Sequence, residues 1–292
     1  MTMRQRFYER AREALDENER VAVVTAQIGT EAIGEHPRHF DVGIREQLMI
    51  GVAAGLALEG YRPVAHSYTP FLVERPYEML KLDLGHNDLG AVLVSIAGSY
   101  DAAHEGRTHQ APEDVAVVGA LPGWTIHVPG HVDEADRLFR QALGGNARTY
   151  LRLSEETNHA RVDGGWLTVL RHGSLGAPLV VAVGPTLTPV LEATAGRDVS
   201  VAYLATVRPF PHEDLREAFA DGTDVVLVEP YLAGTSAAEI AVALRDRPHR
   251  LLALGVPNAE FRHYGTGAEH RVAHGLDAAG IARSLEEFLA EL

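Results

Sequence analysis

The stretch VAVVTA, residues 21–26, is the clearest local sign of the fold of this 292-residue chain. It is short, apolar and rich in β-branched residues, the pattern of a strand covered on both faces of a sheet. A helical pattern at 4–19 precedes it, and a second helical pattern at 46–58, rich in Ala and Gly, follows it. Strands that alternate with helices of such length predict βαβ units and a mostly parallel sheet.

The same alternation continues over the rest of the chain in two runs. In the first run we predict strands at 63–67, 91–96, 125–128 and 149–153 and helices at 72–84, 113–120 and 132–143. In the second run we predict strands at 179–183, 199–204, 225–228 and 251–254 and helices at 187–195, 212–220, 237–244 and 278–289. The segment between the runs, 158–174, is rich in glycine and polar residues, which favours a linker.

The predicted fold class is therefore α/β, with two domains that are each a mostly parallel sheet flanked by helices. A chain of 292 residues is long enough for two domains of ordinary size, each with its own core. We expect a first domain at 1–157, a linker at 158–174 and a smaller domain at 175–292.

The composition excludes several classes of protein. Asp and Glu total 40 against 26 Lys and Arg, and no basic cluster is present, so we expect no nucleic-acid surface. No cysteine occurs, which excludes disulfides and thiolate catalysis and fits a reducing compartment. The longest apolar runs are strand-sized, and the first 19 residues are polar and charged. We therefore expect neither a membrane span nor a signal peptide, and a cytoplasmic protein.

Two segments are expected at the carboxyl ends of strands, where parallel α/β sheets bind ligands. One, at 41–47, comes just before the Gly-rich helix, and the other, at 97–110, comes just after the strand at 91–96. The second loop holds two histidines, a glutamate and an arginine within six residues, a composition suited to acid–base chemistry. A metal site is not expected, because His104 and His109 are five residues apart with Gly106 between them, whereas zinc-binding helices place histidines four apart. The alternative for these histidines is simple solvent exposure.

Several motifs together resemble one enzyme superfamily, that of transketolases and 1-deoxyxylulose-phosphate synthases. Its pyrimidine-binding domain is matched by DVGIREQ (41–47), GVAAGLA (51–57) and GYRPV (60–64). Its Asp-Gly-Pro-Thr-His-Gln loop is matched by EGRTHQ (105–110), and its C-terminal domain by TVRPF (206–210) and EPYLAG (229–234). The resemblance implies a thiamine diphosphate-dependent transferase that moves a two-carbon ketol unit from a ketose to an aldehyde.

The resemblance assigns roles to residues of both loops. Glu46 matches the family carboxylate that hydrogen-bonds a pyrimidine nitrogen of the cofactor. A carboxylate there favours the imino tautomer, which takes the proton from the thiazolium carbon. Without the resemblance, Glu46 would be a first-turn helix carboxylate stabilised by the helix dipole. His109 matches the histidine that holds the substrate oxygen and stabilises developing charge. Glu105 stands where the family has Asp, near a substrate hydroxyl, and Arg107 replaces the family's Pro.

Aromatic residues that stack on the cofactor pyrimidine are expected between residues 66 and 78. Tyr68, Phe71 and Tyr77 fall in the matching segment, although each could equally be a core aromatic. Transketolases have a second aromatic three residues after the first, and this chain has Glu74 there. Phe71 is therefore the residue that we most expect to stack.

Two further departures concern the substrate. Transketolases that act on sugar phosphates have a histidine twelve residues before the loop histidine, where this chain has Ala97. They also have an arginine after a Leu-Ser pair that closes the domain, where this chain has Glu155. Because phosphate recognition favours Arg and a carboxylate repels phosphate, we hypothesise a substrate that is not a simple phosphosugar.

The residues that would bind the cofactor diphosphate are missing from the sequence. The family uses a Gly-Asp-Gly stretch with Mg²⁺ in a separate domain, and no such stretch occurs here. The resemblance therefore implies a split enzyme, in which a second subunit binds Mg²⁺ and the diphosphate, with an α2β2 assembly expected. The alternatives are the β subunit of a 2-oxo acid dehydrogenase or decarboxylase, an acyloin synthase, and a scaffold subunit without catalytic function.

Overall fold

Two β-sheets carry the fold in the computed structural model, which describes residues 1–219 and 222–291. The twelve strands, numbered along the chain, are β1 Val21–Thr25, β2 His39–Asp41, β3 Arg62–Tyr68, β4 Val92–Ile96, β5 Trp124–His127, β6 Arg148–Arg152, β7 Leu167–Arg171, β8 Leu179–Val183, β9 Ser200–Leu204, β10 Thr206–Arg208, β11 Asp224–Leu232 and β12 Arg250–Val256. Seven strands form the first sheet in the order β10-β5-β6-β4-β3-β1-β2, and five form the second in the order β12-β11-β8-β9-β7.

Helices connect and cover the strands. They are α1 Met3–Glu17, α2 Thr30–Ile33, α3 Glu46–Leu58, α4 Tyr77–Met79, α5 Asp114–Gly119, α6 Val132–Leu143, α7 Leu187–Ala193, α8 His212–Phe219, α9 Ala237–Ala243, α10 Gly267–Ala273 and α11 Ala278–Ala290. Two π-helical stretches, Pro70–Glu74 and Leu80–His86, flank α4. Among the described residues no helix is both long enough and apolar enough to cross a membrane.

The strand pairing is parallel except at one edge of each sheet. In the first sheet, β10 pairs antiparallel with β5, and the Oγ1 atom of Thr206 lies 2.9 Å from Nδ1 of His127. In the second sheet, β7 pairs antiparallel with β9. Because β10 follows β9 in the chain, a strand from the second half of the sequence completes the first sheet.

The first sheet is covered on both faces. The α3 residues Met49 and Ile50 pack with Leu72 on one face, and the α1 residue Phe7 packs with Phe139 of α6 on the other. All residues of β1 and β4 are buried, as expected for parallel strands between two helical layers. Truncating a fully buried Met or Leu of this core to Ala would cost about 2–5 kcal/mol.

Helix α1 is well specified by its own sequence. Thr2 and Gln5 form a capping box, which satisfies two backbone N–H groups at the helix N-terminus. The apolar residues Phe7, Ala11 and Leu15 recur four residues apart and are buried on the first sheet. The capping box therefore fixes where α1 begins, and with it the position of Arg4 in the first helical turn.

The predicted fold class is confirmed, and the differences lie in short elements. The predicted bounds of α3, α6 and β8 coincide with the observed ones. The elements α2, β2, β10 and α10 were not predicted, since each has only three to seven residues. The segment 158–174, predicted as a linker, contains β7, because Leu167–Arg171 pairs with β9. The predicted helix at 212–220 is observed up to Phe219, and Ala220 lies outside the described residues.

Candidate functional site

The carboxyl ends of β1, β3 and β4 meet at one edge of the first sheet. After β1 and β2 the chain enters α3 at Glu46, after β3 it enters the π-helical stretch Pro70–Glu74, and after β4 it enters the loop at 97–110. These strands are neighbours in the order β4-β3-β1-β2. The sheet topology therefore brings together the two loops that the sequence analysis singled out.

Glu46 is a buried carboxylate held by one arginine. It is the first residue of α3, where the helix dipole favours a negative charge, and only 2% of the residue is exposed. Nη1 of Arg75 donates to both carboxylate oxygens of Glu46, at 2.8 Å each. The Arg75 side chain is 39% exposed, so the pair has one buried member and one member at the surface. Arg75 was not among the predicted site residues.

A cluster of rings continues from this ion pair. The Arg75 guanidinium carbon lies 4.2 Å from the centroid of the Phe71 ring, within the range of a cation–π contact. The His109 imidazole meets the Phe71 ring at 5.0 Å and the Tyr68 ring at 5.3 Å, both edge to face. We call Glu46, Arg75, Phe71, Tyr68 and His109 the ring cluster. It unites four predicted site residues through an arginine that connects them.

His109 is half-buried and its ring is oriented by the preceding residue. Nδ1 of His109 lies 2.9 Å from Oγ1 of Thr108, which leaves Nε2 as the nitrogen available to a ligand. The preceding Gly106 has φ +73°, and a Cβ atom there would lie 2.6 Å from the Tyr264 ring. A glycine is therefore required at this turn of the loop, both for its conformation and for the close approach of Tyr264.

The other predicted substrate residues point to different partners. Arg107 donates to a carboxylate oxygen of Glu113 and to the backbone carbonyl of Gln110. Glu105 has a 48% exposed side chain and lies 3.5 Å from Nε2 of His104. The structure therefore does not join Glu105 or Arg107 to the ring cluster by any contact among the described residues.

The two remaining aromatic-segment residues also lie apart from the ring cluster. Tyr77 is half-buried and packs against the hydrophobic core under the first sheet. Glu74 interacts with Glu113 and Arg107, and desolvation together with the Glu113 carboxylate raises the pKa of Glu74 to about 7. Of the aromatic residues in this segment, Phe71 and Tyr68 are thus the ones that border the ring cluster.

A buried polar network supports the loop at 97–110 from below. Nε of Arg152 donates to Oδ2 of Asp114 at 2.7 Å, and the Tyr150 hydroxyl donates to the same oxygen at 2.7 Å. Nη2 of Arg152 donates to Oγ of Ser99. A Cβ atom on Gly98 would lie 2.5 Å from the Arg152 guanidinium carbon, so the loop backbone rests directly on this side chain.

The two positions where the sequence departs from phosphosugar transketolases line one cavity. Ala97 and Glu155 both border a cavity of about 320 Å³, together with Tyr68 of the ring cluster. Ala97 has φ +57°, an uncommon conformation for a residue other than glycine. Ser154 and the backbone N–H of Glu155 donate to the buried carboxylate of Asp101 at 2.9–3.1 Å, which fixes the turn that carries Glu155.

No group of three or more His, Asp or Glu side chains within residues 1–219 and 222–291 is arranged to hold a metal ion. The ring cluster offers instead a buried carboxylate, a flat aromatic face and an imidazole. This set of groups fits a planar nitrogen heterocycle, because its ring nitrogen can donate to a carboxylate while its face stacks on an aromatic ring.

Comparisons with known proteins agree on one family. The sequence profile of the family described as transketolase, pyrimidine binding domain, matches residues 1–159. The chain is 48% identical over 287 residues to an uncharacterised 33.6 kDa protein in a fasciation locus of Rhodococcoides fascians, covering 94% of this chain and 91% of that protein. It is 33% identical over 271 residues to 1-deoxy-D-xylulose-5-phosphate synthase of Magnetococcus marinus, covering 86% of this chain and 42% of the enzyme.

A solved structure shares the fold over nearly the whole chain. A split gene transketolase, in an inactive β4 tetramer, superposes with a TM-score of 0.82 at 23% identity, covering 98% of this chain and 97% of that chain. At this identity the match shows the shared fold. By contrast, the chain spans 42–46% of the length of the 1-deoxy-D-xylulose-5-phosphate synthases from Magnetococcus marinus and Geobacter sulfurreducens.

Proposed function

The chain belongs to the transketolase pyrimidine-binding domain family, and on that premise we propose that it is the pyrimidine-binding subunit of a two-chain, thiamine diphosphate-dependent enzyme. The enzyme would transfer a two-carbon ketol unit from a ketose to an aldehyde. The observation that carries the proposal is Glu46, a buried carboxylate that Arg75 connects to the Phe71 and His109 rings at the carboxyl edge of the sheet. Thiamine diphosphate supplies, when bound, a carbon nucleophile that attacks a carbonyl group.

Glu46 would hold the pyrimidine end of the cofactor. A buried carboxylate accepts strongly from a ring N–H, and its charge stabilises the protonated ring nitrogen. The Phe71 ring would stack on the pyrimidine face. In the structure the Arg75 guanidinium takes both of these contacts, since it bonds both Glu46 oxygens and lies 4.2 Å from the Phe71 centroid. Arg75 would therefore have to leave both contacts for Glu46 and Phe71 to hold a pyrimidine.

His109 would act on the substrate. Its ring borders both Phe71 and Tyr68, and Thr108 engages Nδ1, so Nε2 can donate to or accept from a substrate oxygen. In the overall transfer, the bond between C2 and C3 of the donor breaks and a bond forms to the acceptor carbonyl carbon. The C3 hydroxyl of the donor loses its proton as the donor leaves as a shortened aldehyde, and the acceptor oxygen gains a proton. An imidazole beside both carbonyl groups can carry that proton.

A second chain would complete the site. The chain supplies groups for the pyrimidine end, and we propose that a partner subunit binds the diphosphate and Mg²⁺ in an α2β2 assembly. Two observations support a partner at this edge. The apolar side chains of Ile44 and Leu48, on either side of Glu46, are 65% and 48% exposed, and exposed apolar groups beside a site indicate an interface. The relative described as a split gene transketolase is inactive as a β4 tetramer.

We further propose that the chain has two functional parts: residues 1–157 carry the cofactor and substrate site, and residues 175–292 contribute mainly subunit contacts. The strand β10, which completes the first sheet, ties the two parts together. A 2-oxo acid dehydrogenase β subunit would use the same edge of the sheet, but the Thr-His-Gln sequence at 108–110 favours the transketolase type.

The proposal is tested by co-expressing the chain with the product of its neighbouring reading frame. Native mass spectrometry with thiamine diphosphate and Mg²⁺ should show a heterotetramer with two cofactors. The matched control is the same complex with Glu46→Ala, which should assemble but retain less cofactor. A stable heterotetramer that binds no cofactor would contradict the proposal and favour a scaffold role.

A further inference from the structure

Two departures from the family pattern, far apart in sequence, meet at one cavity. Ala97 lies at the end of β4 and Glu155 follows β6, 58 positions later in the chain, yet both line the same space of about 320 Å³. Tyr68, whose ring meets His109 at 5.3 Å, lines it too. The cavity therefore opens beside the ring cluster, where the part of a substrate beyond its reacting carbonyl would lie.

The cavity has a hydrocarbon wall, and its formal charges balance. It is lined by Arg4, Tyr68, Ile96, Ala97, Leu153 and Glu155, and also by the hydroxyl-bearing residues Thr2 and Ser154. Ile96, Ala97 and Leu153 are buried and present only hydrocarbon. Arg4 supplies one positive charge and Glu155 one negative charge, so the formal net charge of the lining is zero. A phosphate dianion requires an excess of cations, which this lining does not provide.

The Arg4 guanidinium is already engaged. Its Nε donates to the Tyr8 hydroxyl at 2.8 Å, and its central carbon lies 5.6 Å from the Tyr8 ring and 5.8 Å from the Tyr68 ring. Both distances are within the range of a cation–π contact. Arg4 was not predicted from the sequence, because it precedes the first strand and reaches the cavity only through the packing of α1.

The backbone at Glu155 is held by Asp101. The Asp101 carboxylate accepts from the Glu155 backbone N–H at 2.9 Å and from the Ser154 hydroxyl at 3.0 Å. The Glu155 residue is exposed, and a carboxylate beside a hydrocarbon wall repels anions and accepts from hydroxyl or amine donors. The cavity thus combines a hydrocarbon wall, one acceptor carboxylate and one guanidinium, whose formal charges cancel.

We propose that this cavity selects an uncharged, partly apolar aldehyde as the acceptor and rejects phosphorylated sugars. The inference rests on the proposed function, since it concerns the acceptor of that same transfer. The hydrocarbon body of the acceptor packs on Ile96, Ala97 and Leu153, which removes apolar surface from water. A hydroxyl group on the acceptor donates to Glu155.

The first test compares acceptors with the assembled two-chain enzyme and hydroxypyruvate as a fixed donor. The carboxylate of this donor leaves as carbon dioxide, so only the acceptor occupies the cavity. We expect kcat/KM for hexanal to exceed that for D-glyceraldehyde 3-phosphate at least about 10-fold. Equal or higher kcat/KM for the phosphosugar would overturn the inference.

A double variant, Ala97→His with Glu155→Arg, should invert this preference by introducing cationic groups at both positions. Histidine tolerates a positive φ better than most residues, so Ala97→His suits the local backbone. The control is Glu192→Arg, which makes the same change of charge at an exposed site on α7. A preference that the double variant leaves unchanged would show that the cavity does not select the acceptor.

A second measurement needs no turnover. Saturation-transfer difference NMR with 1-hexanol, an unreactive analogue of hexanal, reports binding to this chain in its complex. We expect a signal that Ala97→His abolishes, while D-glyceraldehyde 3-phosphate does not compete. Absence of 1-hexanol binding would overturn the inference even if the enzyme binds its cofactor. A complex that binds 1-hexanol but no thiamine diphosphate would contradict the proposed function and leave the cavity assignment supported.

Discussion

Two arginine–carboxylate pairs beside the first sheet have the same chemistry and different surroundings. In the Arg152–Asp114 pair, the two side chains are 1% and 0% exposed, and Tyr150 and Ser99 add hydrogen bonds. In the Arg75–Glu46 pair, the carboxylate is equally buried, but the guanidinium is 39% exposed and lies on one ring. Both pairs lie near the carboxyl edge of the first sheet.

The difference in the exposure of the arginine distinguishes a pair that stabilises the fold from a pair that can bind a ligand. A pair enclosed on all sides cannot exchange partners without leaving a buried charge unpaired, which costs several kcal/mol. A pair with one partner at the surface can exchange that partner for a ligand, because water solvates the released guanidinium. We therefore assign Arg152–Asp114 to support of the loop at 97–110 and Arg75–Glu46 to ligand binding. The predictions below test this contrast.

The largest effect is expected at Glu46. In the assembled enzyme, Glu46→Ala should lower turnover about 10²–10⁴-fold, the contribution of a positioned acid–base group. The unfolding free energy of the chain should change far less than turnover does, since Arg75 becomes solvated. Steady-state kinetics and urea unfolding of the same variant measure both quantities. Turnover within a factor of three of wild type would show that Glu46 is not part of the reaction.

The next effect concerns the enclosed pair. Arg152→Met should lower the free energy of unfolding by about 3–5 kcal/mol, because Asp114 is left buried and unpaired. The double variant Arg152→Met with Asp114→Leu should recover much of that loss, since no buried charge remains. Urea denaturation followed by circular dichroism measures both. If Arg152→Met were as stable as wild type, the Arg152–Asp114 pair would not be the structural pair that we distinguish from Arg75–Glu46.

A pH-dependent change in the free energy of unfolding is expected from Asp101, a buried residue near Arg152. Burial raises the pKa of Asp101 to about 7, against the opposing effects of the Glu155 N–H group and Arg152. Between the ordinary pKa near 3.8 and about pH 7, the folded chain therefore binds more protons than the unfolded chain, and stability falls as pH rises. Relative to Asp101→Asn, wild type should lose on the order of 2–4 kcal/mol across this range.

The Asp101 prediction is checked by urea unfolding of both proteins at intervals between pH 4 and 8. Asparagine retains an acceptor for the Ser154 hydroxyl and the Glu155 N–H group but cannot ionise. A stability difference that stays constant over this pH range would show that Asp101 titrates normally.

The smallest effect is expected at Arg75. If the guanidinium occupies the place of the pyrimidine, Arg75→Gln should strengthen cofactor binding, with a Kd about 3–10-fold lower, corresponding to about 0.7–1.4 kcal/mol. Isothermal titration of the complex with thiamine diphosphate measures the Kd. The control is Arg45→Gln, which removes an exposed arginine directly before Glu46 in the chain. A higher Kd in Arg75→Gln alone would mean that Arg75 contacts the cofactor directly.

The sequence was sufficient for the elements whose patterns are long and local. The helix at 46–58 and the strand at 179–183 have unbroken apolar patterns and were predicted at their observed bounds. The strand β10 was missed because its three residues carry no pattern of their own, and their place in the first sheet depends on pairing with β5. The strand β7 was missed because the Gly-rich residues before it suggested a linker.

Prediction of the candidate site from the sequence was limited in the same way. Glu46, Phe71, Tyr68 and His109 were singled out from motifs, and the structure brings them together. Arg75 was missed, although its position directly after Glu74, four residues beyond Phe71, could have suggested it as a helical neighbour. Its bond to Glu46 depends on how α3 packs against the π-helical stretch, which no local pattern encodes.

The central claim is that the Glu46 carboxylate acts on the pyrimidine of thiamine diphosphate. The most direct test is the rate of hydrogen–deuterium exchange at the thiazolium C2 position of the cofactor in the assembled complex, measured by quenched-flow NMR. We predict that Glu46→Gln, which keeps the shape of the side chain, slows this exchange at least about 100-fold at saturating cofactor. Exchange at the wild-type rate in Glu46→Gln would contradict the account.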